Sequence, residues 1–209
     1  MFNKILDYTN LKVVATSQDI IKLCKEAIVA NCFSVCVAPY YVGLAKEQLK
    51  NSNVLVCTVV GFPNGYSVAE VKYNETVAAI NDGADEIDIV INIAAVKSGD
   101  YEYVKDEIFM LTQTCKKNKV VLKVIIETCL LTKDEIVKVC NIIKEVGTHF
   151  VKTSTGFSIG GATVEDIKLI KSVVKNSVKI KASGGIKTVE FAKQLVDAGA
   201  DRLGSSTIL

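Results

Sequence analysis

The chain has 209 residues, of which 49% are hydrophobic and 23% are charged, and its formal net charge is +2. This length fits one domain with a large core, and so small a net charge gives no reason to expect a nucleic-acid partner. The longest apolar runs, such as residues 54–60, are too short to cross a membrane, and the N-terminal residues lack the apolar stretch of a secretory signal. We therefore predict a single domain over residues 1–209 in a cytoplasmic protein.

Short runs rich in Val and Ile alternate along the chain with longer segments of helical period. We predict strands, in chain order, at residues 5–9, 33–39, 54–63, 85–92, 120–127, 150–155, 178–185 and 201–206. The predicted helices between them span residues 18–30, 67–81, 101–117, 134–145, 164–175 and 189–198. Strands and helices that alternate in this way indicate an α/β fold, the parallel (β/α)8 TIM barrel. Only residues 206–209 follow the eighth strand, so we expect the last outer helix to be missing.

Seven cysteines and one histidine narrow the chemistry that is available to the protein. The cysteines form no CxxC pair and most lie in apolar segments, so we expect reduced and buried thiols. His149 is the sole histidine, which leaves no multi-histidine metal site. Because it directly precedes a predicted strand, we interpret it as a structural residue.

Ionisable residues inside apolar strands are the first candidates for catalysis, because the working groups of such barrels lie at the C-terminal ends of strands. Strand alternation places Lys152, Lys181 and Asp88 toward the barrel interior. A second ammonium and partial burial lower the pKa of an amine, which favours its attack on a carbonyl to form an iminium. A carboxylate would move protons in that reaction, and neither a metal nor a cofactor is required. A buried Lys–Asp ion pair that only fixes the strand register explains the same pattern equally well.

Glycine- and serine-rich turns follow the strands near the C-terminus, where barrels often bind phosphate through backbone amides. One such turn lies between the seventh strand and the next helix, a second closes the eighth strand, and a third follows Lys152. The residues concerned are Gly156, Gly184, Gly185, Gly204, Ser205 and Ser206. A single turn of this kind is more often an ordinary strand-to-helix connection than a phosphate-binding site. The three turns together favour a phosphate-binding site.

Four further residues fall at the ends or on the inner faces of the predicted strands. Glu127 and Asn92 follow strands, where each is suited either to line a pocket or to cap a helix. Cys36 is interpreted as core, and Lys123 as a residue that pairs with an acidic neighbour.

Six blocks of this sequence resemble those of the deoxyribose-phosphate aldolase family, in the same order and over nearly the whole chain. They are SVCVAP at 34–39, VVGFPNG at 59–65, ADEIDIVINIAAVKSGD at 84–100, KVIIETCLLT at 123–132, FVKTSTGFSIGGAT at 150–163 and KIKASGGI at 179–186. The resemblance implies a class I, metal-independent lyase that takes a sugar phosphate in deoxyribonucleotide catabolism. The implied reaction is reversible cleavage of 2-deoxy-D-ribose 5-phosphate to D-glyceraldehyde 3-phosphate and acetaldehyde.

The family resemblance also implies roles for individual residues. Lys152 in the KTSTG block would form the Schiff base, Lys181 in the KASGG block would tune it, and Asp88 would move protons. The turns named above would bind phosphate. Two residues, Asp7 and Thr9, match a family motif for the substrate, although Tyr8 stands between them where the family has histidine.

Two other functions remain open at this point. A transaldolase-like or keto-acid aldolase would share the lysine chemistry but use another donor, and a non-catalytic relic would bind sugar phosphate without turnover. The sequence also ends at GSSTIL, short of the last helix and tail of the family, which we expect to affect rate or stability. Apolar positions on the outer helices favour a homodimer.

Overall fold

Eight parallel strands close into a barrel in the computed structural model, which describes residues 2–207. The strands are β1 Leu6–Asn10, β2 Ser34–Val37, β3 Leu55–Val60, β4 Glu86–Val90, β5 Val121–Ile125, β6 Phe150–Lys152, β7 Lys179–Ser183 and β8 Arg202–Ser205. Each pairs with the next along the chain, and β8 closes the ring against β1, with Leu203 opposite Leu6. The predicted TIM barrel and all eight predicted strands are confirmed.

Helices surround the barrel and connect its strands. They are α1 Ser17–Ala30, α2 Val42–Leu49, α3 Ala69–Asn81, α4 Ile93–Lys97, α5 Tyr101–Lys117, α6 Lys133–Val146, α7 Val164–Val174 and α8 Val189–Asp197. All six predicted helices are present, and α2 and α4 were missed. Within residues 2–207 no helix follows β8, as expected, while the last two residues of the GSSTIL end lie outside the described range.

The boundaries of α6 illustrate how local sequence sets the helices. The Thr132 side chain accepts a hydrogen bond from the Glu135 amide, and the Glu135 side chain accepts one from the Thr132 amide, which closes a capping box. Gly147 ends the helix with a left-handed φ of 72°. The buried apolar side chains between these caps recur at helical spacing: Ile136, Val139, Cys140 and Ile143. The helix therefore lies with one apolar stripe on the barrel.

The core has two parts that follow from strand alternation. Alternate strand residues such as Ile87, Ile89 and Val124 point outward and pack against the helices in one large hydrophobic cluster. The residues between them point inward, where the barrel holds an unusual number of buried charges: Asp7, Glu86, Asp88, Lys123, Lys152, Lys181 and Arg202. The predicted inward placement of both lysines and the aspartate is confirmed.

Several smaller predictions concern residues away from the barrel mouth. All seven cysteines are free, and six are buried while Cys129 is half-buried, which confirms the expectation for most of them. His149 accepts a hydrogen bond at Nδ1 from the Leu122 amide at 3.1 Å, in agreement with a structural role. None of the helices within residues 2–207 is both long and apolar enough to span a membrane.

Candidate active site

Asp88 lies at the centre of the barrel and binds both predicted lysines. Its Oδ2 atom accepts hydrogen bonds from Lys152 Nζ and Lys181 Nζ, each at 2.8 Å. The two lysines are direct partners across β6 and β7, so the parallel register brings their amines to the same carboxylate. The three residues that the sequence singled out for chemistry therefore form one cluster.

Lys181 is held as a permanent cation by a second carboxylate. Its Nζ lies 2.5 Å from Asp7 Oδ2 as well as 2.8 Å from Asp88 Oδ2. Burial works to lower the pKa of Lys181, but Asp7 and Asp88 outweigh it and raise that pKa above the usual value. Lys181 thus places a fixed positive charge beside the same oxygen that Lys152 contacts.

The ionic cluster continues downward to the base of the barrel. Lys123 Nζ lies 2.9 Å from Asp88 Oδ1 and 2.6 Å from Glu86 Oε2. Arg202 binds Asp7 Oδ1 at 2.7 Å and Glu86 Oε2 at 2.9 Å, and its guanidinium carbon sits 3.4 Å from the centre of the Phe33 ring. We call these seven charged side chains, including Lys152 and Lys181, the interior network. It contains three carboxylates and four cations, which leaves one excess positive charge.

The excess of cations keeps Asp88 ionised. Burial works to raise its pKa, but the charges of Lys123, Lys152 and Lys181 outweigh it and hold the pKa of Asp88 well below its usual value. The carboxylate is therefore negatively charged and accepts hydrogen bonds from both amines.

A cavity of about 540 Å³ opens above this network at the C-terminal ends of the strands. Lys152, only 3% exposed, and Lys181 line its floor. The predicted phosphate turns line it too, since the lining includes Gly156, Gly184, Gly185, Gly204, Ser205 and Ser206. Thr9 also borders the cavity. Most of the site residues predicted from separate parts of the chain thus border one space, with Asp88 beneath it.

Asp7 is the predicted site residue whose position differs from expectation. It is fully buried, accepts hydrogen bonds from Ser34 and Arg202, and is absent from the cavity lining. Asp7 therefore lies below the cavity and does not border the space that a substrate would occupy. The prediction of a substrate contact at Asp7 is not supported, and its place is in the interior network.

Two glycines of the phosphate turns are required by close contacts. Gly184 has a left-handed φ of 86°, and a Cβ there would lie 2.9 Å from the Gly161 Cα. At Gly204 a Cβ would lie 3.1 Å from the Lys181 Cε atom. A side chain at position 184 would push the two turns apart, whereas one at position 204 would shift the end of Lys181 by a few tenths of an ångström.

The loop after Lys152 is held by Glu127, whose role was left open between pocket wall and helix cap. Glu127 adopts a left-handed backbone with φ of 50° and is 2% exposed. Its Oε2 atom accepts hydrogen bonds from the Thr155 amide, at 3.1 Å, and from the Thr155 hydroxyl. Asn92, by contrast, caps α4 by accepting from the Ala95 amide at 3.1 Å. Glu127 therefore supports the cavity loop and Asn92 is a helix cap.

Several functional-site residues were not found from the sequence. Glu86 and Arg202 complete the interior network; Glu86 lies two residues before Asp88, so strand alternation was a usable signal for it. Lys12 and Lys187 line the cavity from loops, and no sequence pattern marked them as site residues. Cys36 packs with Cys57 and Val59, which confirms its interpretation as core.

Two groups of possible metal ligands overlap the interior network. They are Cys36, Cys57 and Asp88, and Asp7, Cys57 and Glu86, with the ligand atoms of each group within 4.8 Å of one another. Lys123 Nζ already lies 3.3 Å from Cys57 Sγ and 2.9 Å from Asp88 Oδ1. An ammonium therefore occupies the position that a cation would take, and the donor set fits an ion pair better than a metal.

Known proteins are similar to this chain in fold and in sequence. A family described as "DeoC/LacD family aldolase" matches residues 4–206. The deoxyribose-phosphate aldolase of Thermococcus kodakarensis is 52% identical over 206 residues, covering 98% of this chain and 92% of that relative. A solved structure called "QR15, an Aldolase" superposes with a TM-score of 0.93 at 41% identity, covering 98% and 91% of the two chains. The deoxyribose phosphate aldolase of Aeropyrum pernix, described as tetrameric, gives 0.92 at 30% identity and covers 98% and 86%.

Proposed function

The chain belongs to the DeoC/LacD family of aldolases, and we propose that it is a deoxyribose-phosphate aldolase with Lys152 as its Schiff-base nucleophile. The substrate of this proposal is 2-deoxy-D-ribose 5-phosphate, cleaved reversibly to D-glyceraldehyde 3-phosphate and acetaldehyde. Curated relatives at about 50% identity carry this activity in their names, over nearly the whole chain.

The proposed reaction begins when the Lys152 amine adds to the aldehyde carbon of the open-chain sugar and water leaves as the iminium forms. The proton on the C3 hydroxyl passes to Asp88, through a water, as the C2–C3 bond breaks. The bonding electrons move into the iminium and give an enamine on Lys152 with release of glyceraldehyde 3-phosphate. The proton taken up by Asp88 then returns through water to the enamine carbon, and addition of a water to the resulting iminium releases acetaldehyde and restores the Lys152 amine.

The substrate phosphate is proposed to bind at the turns that contain Gly184, Gly185 and Ser205, with Lys187 at the cavity rim. The charge of Lys181 would favour the uncharged form of a neighbouring amine and so promote attack. The observation that carries the proposal is that one buried carboxylate oxygen contacts both amines at 2.8 Å on the floor of this cavity.

A coupled assay tests the proposed substrate. The purified protein is mixed with 2-deoxy-D-ribose 5-phosphate, and acetaldehyde is followed through an alcohol dehydrogenase and NADH. Steady turnover is expected. Turnover only with pyruvate or dihydroxyacetone as the donor would favour another Schiff-base aldolase, and binding of the sugar phosphate without turnover would favour the relic.

We also propose that the chain acts in the cytoplasm, in deoxyribonucleotide catabolism, as one domain that forms a homodimer. Exposed apolar side chains on outer helices support self-association, with Val29 on α1 83% exposed and Phe109 on α5 52% exposed. Sedimentation equilibrium tests the assembly, and a mass of one chain or of four chains would contradict a dimer.

A further inference from the structure

Lys123 on β5 is fully buried within the barrel, does not border the cavity, and has no part in the proposed reaction. Its ammonium lies 2.9 Å from Asp88 Oδ1, 2.6 Å from Glu86 Oε2 and 3.7 Å from Asp7 Oδ2. It therefore touches all three carboxylates of the interior network from below, on the side away from substrate.

The two oxygens of Asp88 have separate partners. Oδ1 accepts from Lys123 at 2.9 Å and from Cys57 Sγ at 3.2 Å, whereas Oδ2 accepts from Lys152 and Lys181. Rotation of the carboxylate out of its observed plane would break the contact with Lys123, and that ammonium opposes the rotation because it is the only charged donor on Oδ1 among the described residues. Oδ2 is thereby left facing the two amines.

We propose that Lys123 is a positioning residue that fixes the Asp88 carboxylate and sets the pH range in which Lys152 forms its Schiff base, an inference that rests on the proposed function. Lys123 is itself a stable cation: burial works to lower its pKa, but Asp88, Cys57, Glu86 and Asp7 raise that pKa well above the usual value. It never needs to exchange a proton for this role.

The charge balance predicts the direction of the pH effect. The titratable and charged groups that face Lys123 and Lys152 are Asp7 on β1, Cys36 on β2, Cys57 on β3, Glu86 and Asp88 on β4, His149 before β6, Lys181 on β7 and Arg202 on β8. Loss of Lys123 leaves three carboxylates against three cations in place of four. The less positive interior favours the ammonium of Lys152, so the free amine is available only at higher pH.

The experiment measures borohydride trapping of acetaldehyde on Lys152 as a function of pH, together with kcat and KM for the sugar phosphate. For Lys123→Met we expect the half-maximal trapping pH to rise by about one unit. We expect kcat to fall by roughly 10²-fold, since the carboxylate is no longer fixed, with KM unchanged. A trapping profile and kcat equal to those of wild type would overturn the proposal.

Lys72→Met is the matched control, because Lys72 is an equally buried lysine in an ion pair outside the barrel. It is expected to leave the trapping profile in place. A shift of the same size in this control would show that any buried lysine has the effect, and would contradict a specific role for Lys123.

A second variant covers the case in which Lys123→Met does not fold. Glu86→Gln with Lys123→Met leaves two carboxylates and three cations, the same excess of one positive charge as wild type. The trapping pH is expected to return to the wild-type value while kcat stays low, because Asp88 Oδ1 still lacks its ammonium. A wild-type kcat in this double variant would overturn the positioning role. Absence of any Lys152 adduct in the wild-type protein would instead contradict the proposed function itself.

Discussion

The interior network and the Lys72–Glu107 pair are both buried ionic groups, but only the interior network lies beneath an open cavity. Lys72 on α3 donates to Glu107 Oε1 at 2.7 Å and to the Val90 carbonyl at 2.8 Å. Glu107 Oε2 accepts from the Asn92 amide at 3.1 Å. One cation meets one anion, and the other hydrogen bonds of the pair are with the backbone at the end of β4.

The pKa directions in the two regions are opposite. Burial lowers the pKa of Lys72 and raises the pKa of Glu107, and the partner charge does not fully offset it. In the interior network each carboxylate meets at least two cations, so the pKa of Asp88 falls and that of Lys181 rises. Sharing of each carboxylate, rather than burial alone, keeps these groups charged beneath an open cavity.

Among variants of the interior network and of the Lys72–Glu107 pair, we expect the largest effect on kcat at Lys152. Lys152→Ala removes the proposed nucleophile, and we expect kcat to fall by roughly 10⁴-fold or more. Steady-state cleavage of the sugar phosphate measures it. Lys179→Ala, at the exposed start of β7, is the control and should keep its activity. Activity of Lys152→Ala within tenfold of wild type would remove this residue from the nucleophile role.

Asp88→Asn should slow the reaction less than loss of the nucleophile. An amide of the same shape still contacts the amines but accepts no proton, so we expect a fall in kcat of roughly 10² to 10⁴-fold with the iminium still formed. Single-turnover trapping measures iminium formation, and the steady-state rate measures the whole reaction, so the two together show whether proton transfer is the slowed step. Full speed in this variant would place the proton acceptor elsewhere.

Lys181→Leu should move the pH optimum rather than abolish turnover. Lys181 shares Asp88 Oδ2 with Lys152, so its loss removes a positive charge beside that amine, and we expect the reaction to require a higher pH. We expect an upward displacement of the kcat/KM profile by one to about two units, larger than for Lys123→Met. Superimposable profiles would show that the two lysines are not coupled.

The Lys72–Glu107 pair should affect stability instead of the pH profile. Lys72→Met leaves the Glu107 carboxylate buried without its cation, and we expect the free energy of unfolding to fall by about 3–5 kcal/mol. Urea denaturation measures the change. The double replacement Lys72→Met with Glu107→Leu should recover much of that loss. A Lys72→Met protein of undiminished stability would show that the pair contributes nothing.

The smallest expected effect lies at His149, near the base of the network. Burial and the charge of Lys116 lower its pKa below 6.5 in the folded protein, so the unfolded chain binds the proton more readily. Its contribution to stability is therefore complete above about pH 6.5 and is lost as the pH falls below that value. Thermal melting of wild type and His149→Gln between pH 8 and 5 measures the difference, which should narrow at low pH. If the melting temperatures of the two proteins differed by the same amount at every pH, His149 would not contribute a pH-dependent stability.

The sequence was sufficient for the strands and the reactive cluster because both depend on local alternation. Inward residues at every second position of β4, β6 and β7 placed Asp88, Lys152 and Lys181 together. In the proposed phosphate turns, Gly184 occupies a position where a side chain would clash with Gly161. Helix α4 was missed because five residues are too few to show a period.

Long-range pairing explains what the sequence did not indicate. Lys72 lies on a helix, where a lysine ordinarily faces solvent, and its partner Glu107 is 35 positions away. Arg202 and Asp7 are 195 positions apart and meet only because the barrel closes between β8 and β1. Asp7 was expected at the substrate because it matches a family motif, whereas barrel closure buries it against Arg202.

The central claim is that Lys152 becomes the covalent attachment point while the other buried lysines do not. Wild-type protein is incubated with acetaldehyde or 2-deoxy-D-ribose 5-phosphate, reduced with borohydride and examined by intact mass and peptide mapping. We predict a single reduced adduct on Lys152, with Lys72, Lys123 and Lys181 unmodified. An adduct on Lys181 alone, or none on a folded protein that binds the sugar phosphate, would contradict the account.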